Sequence, residues 1–257
     1  MPHAPPPGEM EQFIADQLAP GIPPDWLLPP DLAAAKAAQI ELAARVVPRD
    51  AHPPVRLLGG VDISTTRFDP EGWVHAAVVV LDWPGLQVVA RAGASMRASI
   101  PYIPGYLGFR EVPALLAAWA RLGPKPDLVM VDGHGVAHPR GLGIAAHLGV
   151  VLDIPSIGVA KSPLVGRPEA PRGEEPGAVQ PLLWKGRRLG TVLRSRRRAN
   201  PLWISVGHRV SPEGAVDWVR RCLTGYRLPE PTRQAHLAAN AVRRAALAGA
   251  EEPEESS

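Results

Sequence analysis

Leu128-Val129-Met130-Val131-Asp132-Gly133-His134-Gly135 is a short apolar run that ends on a carboxylate followed by two glycines. A run of this length, bounded by glycine, reads as a buried strand. Leu57-Leu58-Gly59-Gly60-Val61-Asp62-Ile63-Ser64 has the same shape. An ionised aspartate beside a buried strand is costly unless a partner compensates it. Two of them in one domain point to a shared partner, and a divalent cation is the natural one.

Working outward, Ser156 to Ala160 is the next strand, and Arg140 to Leu148 between the two has helical spacing. That is a βαβ crossover, which makes the strands at 128–132 and 156–160 parallel. Upstream, strands are predicted over Val55 to Ser64, Trp73 to Trp83 and Leu86 to Ser95. Turn signals at Asp69-Pro70-Glu71-Gly72 and Pro84-Gly85 join them into an antiparallel meander. A helix is predicted over Val112 to Leu122, with Pro113 in its first turn and Gly123 at its end. Asp31 caps another, running from Leu32 toward Val46. Downstream come a hairpin (Leu182 to Trp184 with Leu189 to Leu193), a strand from Trp203 to Val206, and helices over Pro212 to Leu223 and Thr232 to Leu247. The predicted class is α/β: one mixed sheet, antiparallel meander then parallel strands, flanked by helices. This order is similar to the ribonuclease H-like fold. In that topology the first strand lies beside the fourth, so Asp62 and Asp132 face each other across neighbouring strands.

The 257 residues divide into a proline-rich arm over 1–30, expected to be disordered, a single domain over 31–250, and an acidic tail over 251–257. Hydrophobic residues make up 46%, enough for a sizeable core. No apolar run approaches the ~20 residues of a membrane helix, and no secretory signal is visible. The single cysteine, Cys222, excludes an intramolecular disulfide, argues against structural zinc and fits a reducing compartment. A cytoplasmic monomer is expected. The net charge of +3 is unevenly spread, with a basic block at Arg194-Ser195-Arg196-Arg197-Arg198. A phosphate-bearing partner suits that block, as does a plain solvated loop.

Two-metal phosphoryl transfer needs carboxylates that hold divalent ions ~3.5–4 Å apart. Asp62 and Asp132 supply two. Glu111, read as lying at a helix start, is either a third or a helix-dipole partner stabilising by a few tenths to about 1 kcal/mol. His208 follows an apolar strand and a glycine, in a context like that of Asp132; it reads as a ligand or as a structural histidine. Lys161 ends a strand in a chain that otherwise prefers arginine, with lysine elsewhere only at 36, 125 and 185. A compact ammonium there neutralises a scissile phosphate, positions a water, or pairs with an aspartate. Pro101-Tyr102-Ile103-Pro104-Gly105-Tyr106 is a rigid aromatic loop of the kind that enters a base stack, or one that packs locally.

Together these pieces resemble the endonuclease V family of deoxyinosine-directed repair nucleases. The resemblance rests on Gly60-Val61-Asp62-Ile63-Ser64, Tyr102-Ile103-Pro104-Gly105-Tyr106-Leu107, Phe109-Arg110-Glu111, Val131-Asp132-Gly133-His134-Gly135, Gly158-Val159-Ala160-Lys161-Ser162 and Val206-Gly207-His208, in that order. It implies a Mg²⁺-dependent enzyme, with Mn²⁺ as a substitute. It implies cleavage at the second phosphodiester 3′ to deoxyinosine, leaving a 3′-hydroxyl and a 5′-phosphate. Asp62, Glu111, Asp132 and His208 match the metal site, Lys161 the catalytic lysine, and Tyr102, Ile103 and Pro104 the wedge. Leu107, Gly133, His138, Gly143, Ile144, Gly158, Ala160 and Leu164 match the pocket for the flipped base. The glycines admit close backbone approach to the base, or else serve tight helix–strand packing. Gly108 and Val112 depart from the family, which carries alanine or serine at the first position and a small residue at the second. The alternatives are a ribonuclease acting on inosine-containing RNA, a non-catalytic nucleic-acid-binding relative, and a small-molecule phosphoesterase. The last has no need of the aromatic loop or the basic block.

Overall fold

The computed structural model describes residues 12–250, apart from 14, 67–68, 170–172 and 174. The first residues of the expected arm and the acidic tail at 251–257 lie outside the described residues.

Among the described residues, nine strands form one mixed sheet. The meander is β1 (Leu57–Ser64), β2 (Trp73–Asp82) and β3 (Val88–Arg97). The parallel centre is β1 beside β4 (Leu128–Val131) beside β5 (Ser156–Ala160). The register pairs Val61 with Val131 and Val131 with Gly158. The far wing is antiparallel: β9 (Leu202–His208) on β5, then β8 (Arg187–Leu193), β7 (Val179–Trp184) and the two-residue β6 (Arg167–Pro168). Lys185 and Gly186 both have positive φ, 50° and 74°, the backbone that a two-residue hairpin between right-twisted strands requires.

The central strands are apolar on both faces because helices cover both. Val61, Val129 and Val131 pack with α2 (Leu107–Ala120), α3 (Ile144–Leu152) and Leu42 of α1 (Leu32–Ala44). Leu58, Leu128 and Met130 pack against Ala215, Trp218 and Val219 of α4 (Pro212–Arg221). The long α5 (Glu230–Ala250) crosses β1 and β2. Gly60 makes that crossing close: a Cβ there would lie 1.8 Å from the Pro231 carbonyl oxygen.

The structure corrects several expectations. Residues 15–30 are not a free arm. Ile22 and Leu27 are buried, Leu18, Trp26 and Leu28 pack on the core, and the Ala19 N–H donates to the Val151 carbonyl at 2.7 Å. This proline-rich segment packs on the core and meets α3 at Val151. The helix expected from Val112 begins at Leu107, so Pro113 lies inside it. The ring leaves the Phe109 carbonyl without its helical donor, and burial of nearly every residue in α2 outweighs that loss. The crossover helix starts at Ile144 and ends on Asp153 in the left-handed conformation. Arg167–Pro168, outside every predicted strand, forms the short β6.

Candidate active site

The site lies outside the carboxyl ends of the parallel strands, where strand order reverses on either side of β1 and where open α/β sheets bind their ligands. Asp62 sits near the end of β1, while Asp132 follows β4 and Lys161 follows β5 directly. The Asp132 N–H donates to the Val61 carbonyl at 2.9 Å, which locks the two aspartates into neighbouring positions.

Asp62 is 6% exposed. One of its oxygens accepts from the Ile63 N–H and the other from His236 Nδ1, each at 2.8 Å. Burial and the Asp132 charge push its carboxyl up to about 6, against the pull of Lys161 and His236. Lys161 forms an ion pair with Asp132. The Arg227 guanidinium donates to the Lys161 carbonyl at 2.8 Å, and His134 Nε2 meets the Ser162 carbonyl at 2.9 Å, so the backbone that carries the ammonium is held on two sides. Glu111 lies one turn into α2, not at its start, and burial followed by the Asp62 charge pushes its carboxyl up to about 8.

Ligand atoms of Asp62, Asp132 and His236 all lie within 4.8 Å of one another. Carboxylate oxygens with one imidazole nitrogen suit a divalent ion. Burial first, and then the repulsion among these carboxylates, raises the Asp62 and Glu111 carboxyls against the pull of Lys161, His236 and Arg110. The Glu111 carboxyl feels both aspartates but is not one of the three converging groups.

His236 was not visible in the sequence as a site residue. It lies in the middle of a helix, 174 positions from Asp62, and no strand-end pattern marks it. His208 is the corresponding correction. β9 runs antiparallel to β5, so its carboxyl end lies beside Ser156, at the opposite end of the sheet from Lys161. There His208 is buried, with Nε2 on Asp153 at 3.0 Å and Nδ1 accepting the Val47 N–H at 3.2 Å. It joins the segment after α1 to the end of α3, and it is not with the carboxylates.

Tyr102 is 68% exposed at the tip of the loop before α2; Pro104 is exposed and Ile103 half-buried. The loop is anchored at Gly105, whose φ is +81°. Its carbonyl accepts from Gln39 Nε2 at 2.8 Å and from Arg140 Nη2 at 2.6 Å. His138, whose Nδ1 accepts the Arg140 N–H at 3.2 Å, hydrogen-bonds the same carbonyl.

Of the remaining residues matched to the base pocket, Gly143 and Gly158 pack against the loop at 133–143. A Cβ on Gly158 would lie 2.4 Å from the Gly135 nitrogen, and one on Gly143 2.3 Å from the His134 carbonyl oxygen. Both glycines therefore serve close backbone packing. Gly133 abuts Ile144, Ala160 packs with Ala137 and Trp203, Leu107 opens α2, and Leu164 is exposed. Gly108 has a similar reason: a Cβ there would lie 2.4 Å from His147 Nδ1, so the buried imidazole fills the space of a side chain.

The sequence matches the family described as Endonuclease V over residues 40–237. It is 59% identical to the Endonuclease V of Rhodospirillum centenum, over 91% of this chain and 97% of that protein. The crystal structure of Endonuclease V from Streptomyces avermitilis superposes with a TM-score of 0.80 at 40% identity, covering 88% of this chain and 98% of that one. Endonuclease V of Ciona intestinalis, solved in complex with a 24mer DNA containing an inosine followed by a ribo-adenosine, superposes at 0.68 with 27% identity, covering 84% and 98%. With its sheet order, its acidic strand ends and these likenesses spanning most of its length, the chain belongs to the endonuclease V family and is an endonuclease acting on phosphodiester bonds.

Proposed function

We propose that this enzyme nicks DNA beside deoxyinosine, at the second phosphodiester 3′ to the lesion, leaving a 3′-hydroxyl and a 5′-phosphate, with Mg²⁺ or Mn²⁺. The observation that carries this reading is the convergence of Asp62, Asp132 and His236 beside Lys161, with an exposed aromatic loop placed just before the helix that holds Glu111. The relative solved on inosine-containing DNA supports the choice of lesion.

Asp62, Asp132 and His236 would hold the cation, with Glu111 close by. When bound, such an ion polarises the phosphodiester and makes a water nucleophilic at neutral pH. Asp62 is kept in place by the Ile63 N–H, so its carboxylate loses little freedom on binding. Lys161 brings a compact positive charge to the scissile phosphate, and its pairing with Asp132 keeps it there between turnovers. Tyr102 enters the base stack and turns the damaged base toward Gly133 and the loop that follows.

The test is a hypoxanthine-containing duplex incubated with the protein and Mg²⁺. Nicking at the second 3′ bond, abolished by EDTA, is the expected result; no nick, or a nick indifferent to EDTA, counts against the reading. The ribo-adenosine beside the inosine in the Ciona complex favours a second reading, cleavage of inosine-containing RNA. Matched DNA and RNA strands assayed side by side separate the two.

A further inference from the structure

Three separate segments meet at the Gly105 carbonyl: α1, the loop leaving Asp132, and the loop carrying Tyr102. Gln39 is 1% exposed and donates to that carbonyl through Nε2, while its Oε1 accepts from Arg140 Nε. Arg140 donates to the same carbonyl through Nη2, and its guanidinium lies 4.3 Å from the centre of the Tyr106 ring. Beneath this, Ala35 and Ala38 of α1 pack on Phe109, with Tyr106 and Ile100 at the edge. Gln39 stands one position before the segment that matches the family.

A buried glutamine is costly unless both ends of its amide are used. Here one end holds the loop and the other holds Arg140, which itself holds the loop. Glycine is needed at the hub, both for φ +81° and because a Cβ would lie 3.0 Å from Arg140 Nη2. The only strongly exposed aromatic of the loop, Tyr102, lies three residues from this anchor.

We propose that Gln39 and Arg140 are positioning residues that hold the 101–106 loop in the conformation presenting Tyr102 to nucleic acid, at a fixed distance from Asp132. This rests on the wedge reading of Tyr102 given above. A loop ordered before binding loses less freedom on binding, so the clamp acts on affinity for the lesion more than on the bond-breaking step.

The experiment compares the full-length parent with Gln39→Ala, Tyr102→Ala and the double variant, on a hypoxanthine duplex under single-turnover conditions. Hydrogen exchange across residues 98–106 is followed in parallel without DNA. Gln39→Ala is expected to raise exchange in that segment and the half-saturating duplex concentration on the order of tenfold, with a far smaller change in the rate at saturation. The double variant is expected to bind no worse than Tyr102→Ala alone, because the clamp acts through Tyr102. Gln39→Met fills the same space without the hydrogen bonds and replaces Gln39→Ala if that variant loses α1. Unchanged exchange at 98–106, or additive losses in the double variant, would overturn the clamp while leaving the nuclease reading intact. A parent that neither binds nor nicks the hypoxanthine duplex overturns that reading and this role with it.

Discussion

His236 Nδ1 lies 2.8 Å from an Asp62 oxygen, joining the last described helix to the first strand of the sheet across 174 positions. The far nitrogen of the ring meets Asn240 Nδ2 at 3.2 Å, and Asn240 accepts from Ser64, so the ring orientation is set from both ends. Removing an outer partner of a metal carboxylate, or a ligand itself, lowers metal affinity by about 10–100-fold or more. His236→Ala is therefore expected to shift the Mg²⁺ dependence of nicking upward by at least that factor, read from a metal titration at fixed DNA. An unshifted titration removes His236 from the site.

His208→Ala should behave in the opposite way. Its bonds to Asp153 and Val47 tie structure together far from the carboxylates. The loss is expected in thermal stability, about 1–3 kcal/mol, with the Mg²⁺ titration unchanged in the folded protein. The two histidine variants, melted and titrated together, form a matched pair.

Asp62→Asn and Asp132→Ala are each expected to abolish nicking. Asp62→Asn should also leave the metal-free protein at least as stable as the parent, since it removes a buried charge facing another. Melting curves in EDTA, beside nicking in Mg²⁺, check both halves of the expectation.

The pH dependence follows from the raised carboxyls. Glu111 shifts from 4.5 in an unfolded chain to about 8 in the folded one, and Asp62 from 3.8 to about 6. In these windows the folded state holds more protons than the unfolded state. The contribution is thus complete below the unfolded value and is lost as pH rises through the folded one. Metal-free stability is expected to decline from about pH 4.5 to 8, and Glu111→Gln to flatten that decline. A divalent ion must displace the same protons, so its affinity should climb with pH over this range. Calorimetry in buffers of different ionisation enthalpy counts the protons released.

Gly108 and His147 should be energetically coupled. Gly108→Ala gains helix propensity of about 1 kcal/mol but forces a Cβ into the imidazole, an overpacking that typically costs about 1–3 kcal/mol. His147→Ala opens room, and Gly108→Ala in that background is expected to stabilise. His147 is fully buried, with neither ring nitrogen hydrogen-bonded, and burial pushes its pKa down to about 3 from 6.5. Its contribution is present above pH 6.5 and lost as pH falls toward 3, so His147 variants should also resist acid better in a pH-melt series.

Much of this architecture could be read before any coordinates. Period-two and short apolar runs carry strand identity, the βαβ crossover carries the parallel centre, and the likeness of that element order to the ribonuclease H-like fold placed Asp62 beside Asp132. What escaped was set by tertiary packing. The start of α2 has no side-chain cap, and burial of Phe109 and its neighbours extends the helix upstream of Pro113. Residues 15–30 look like a loose arm until α3 supplies Val151 as a partner. His208 resembles Asp132 locally, a strand end after a glycine, yet strand direction puts it at the wrong end of the sheet. His236 has no local signature at all, because a helix face acquires its meaning only from what it is laid against.

The seat that Gly60 makes for Pro231 is where α5 docks on β1, and that docking brings His236 to Asp62. During synthesis the two aspartates emerge, and their strands can pair, well before His236 leaves the ribosome. Until α5 settles onto β1, the chain owns acidic strand ends but not the histidine that completes their convergence. On the proposed metal reading, the site is complete only once α5 covers β1, and a partly made chain lacks one of the three converging groups.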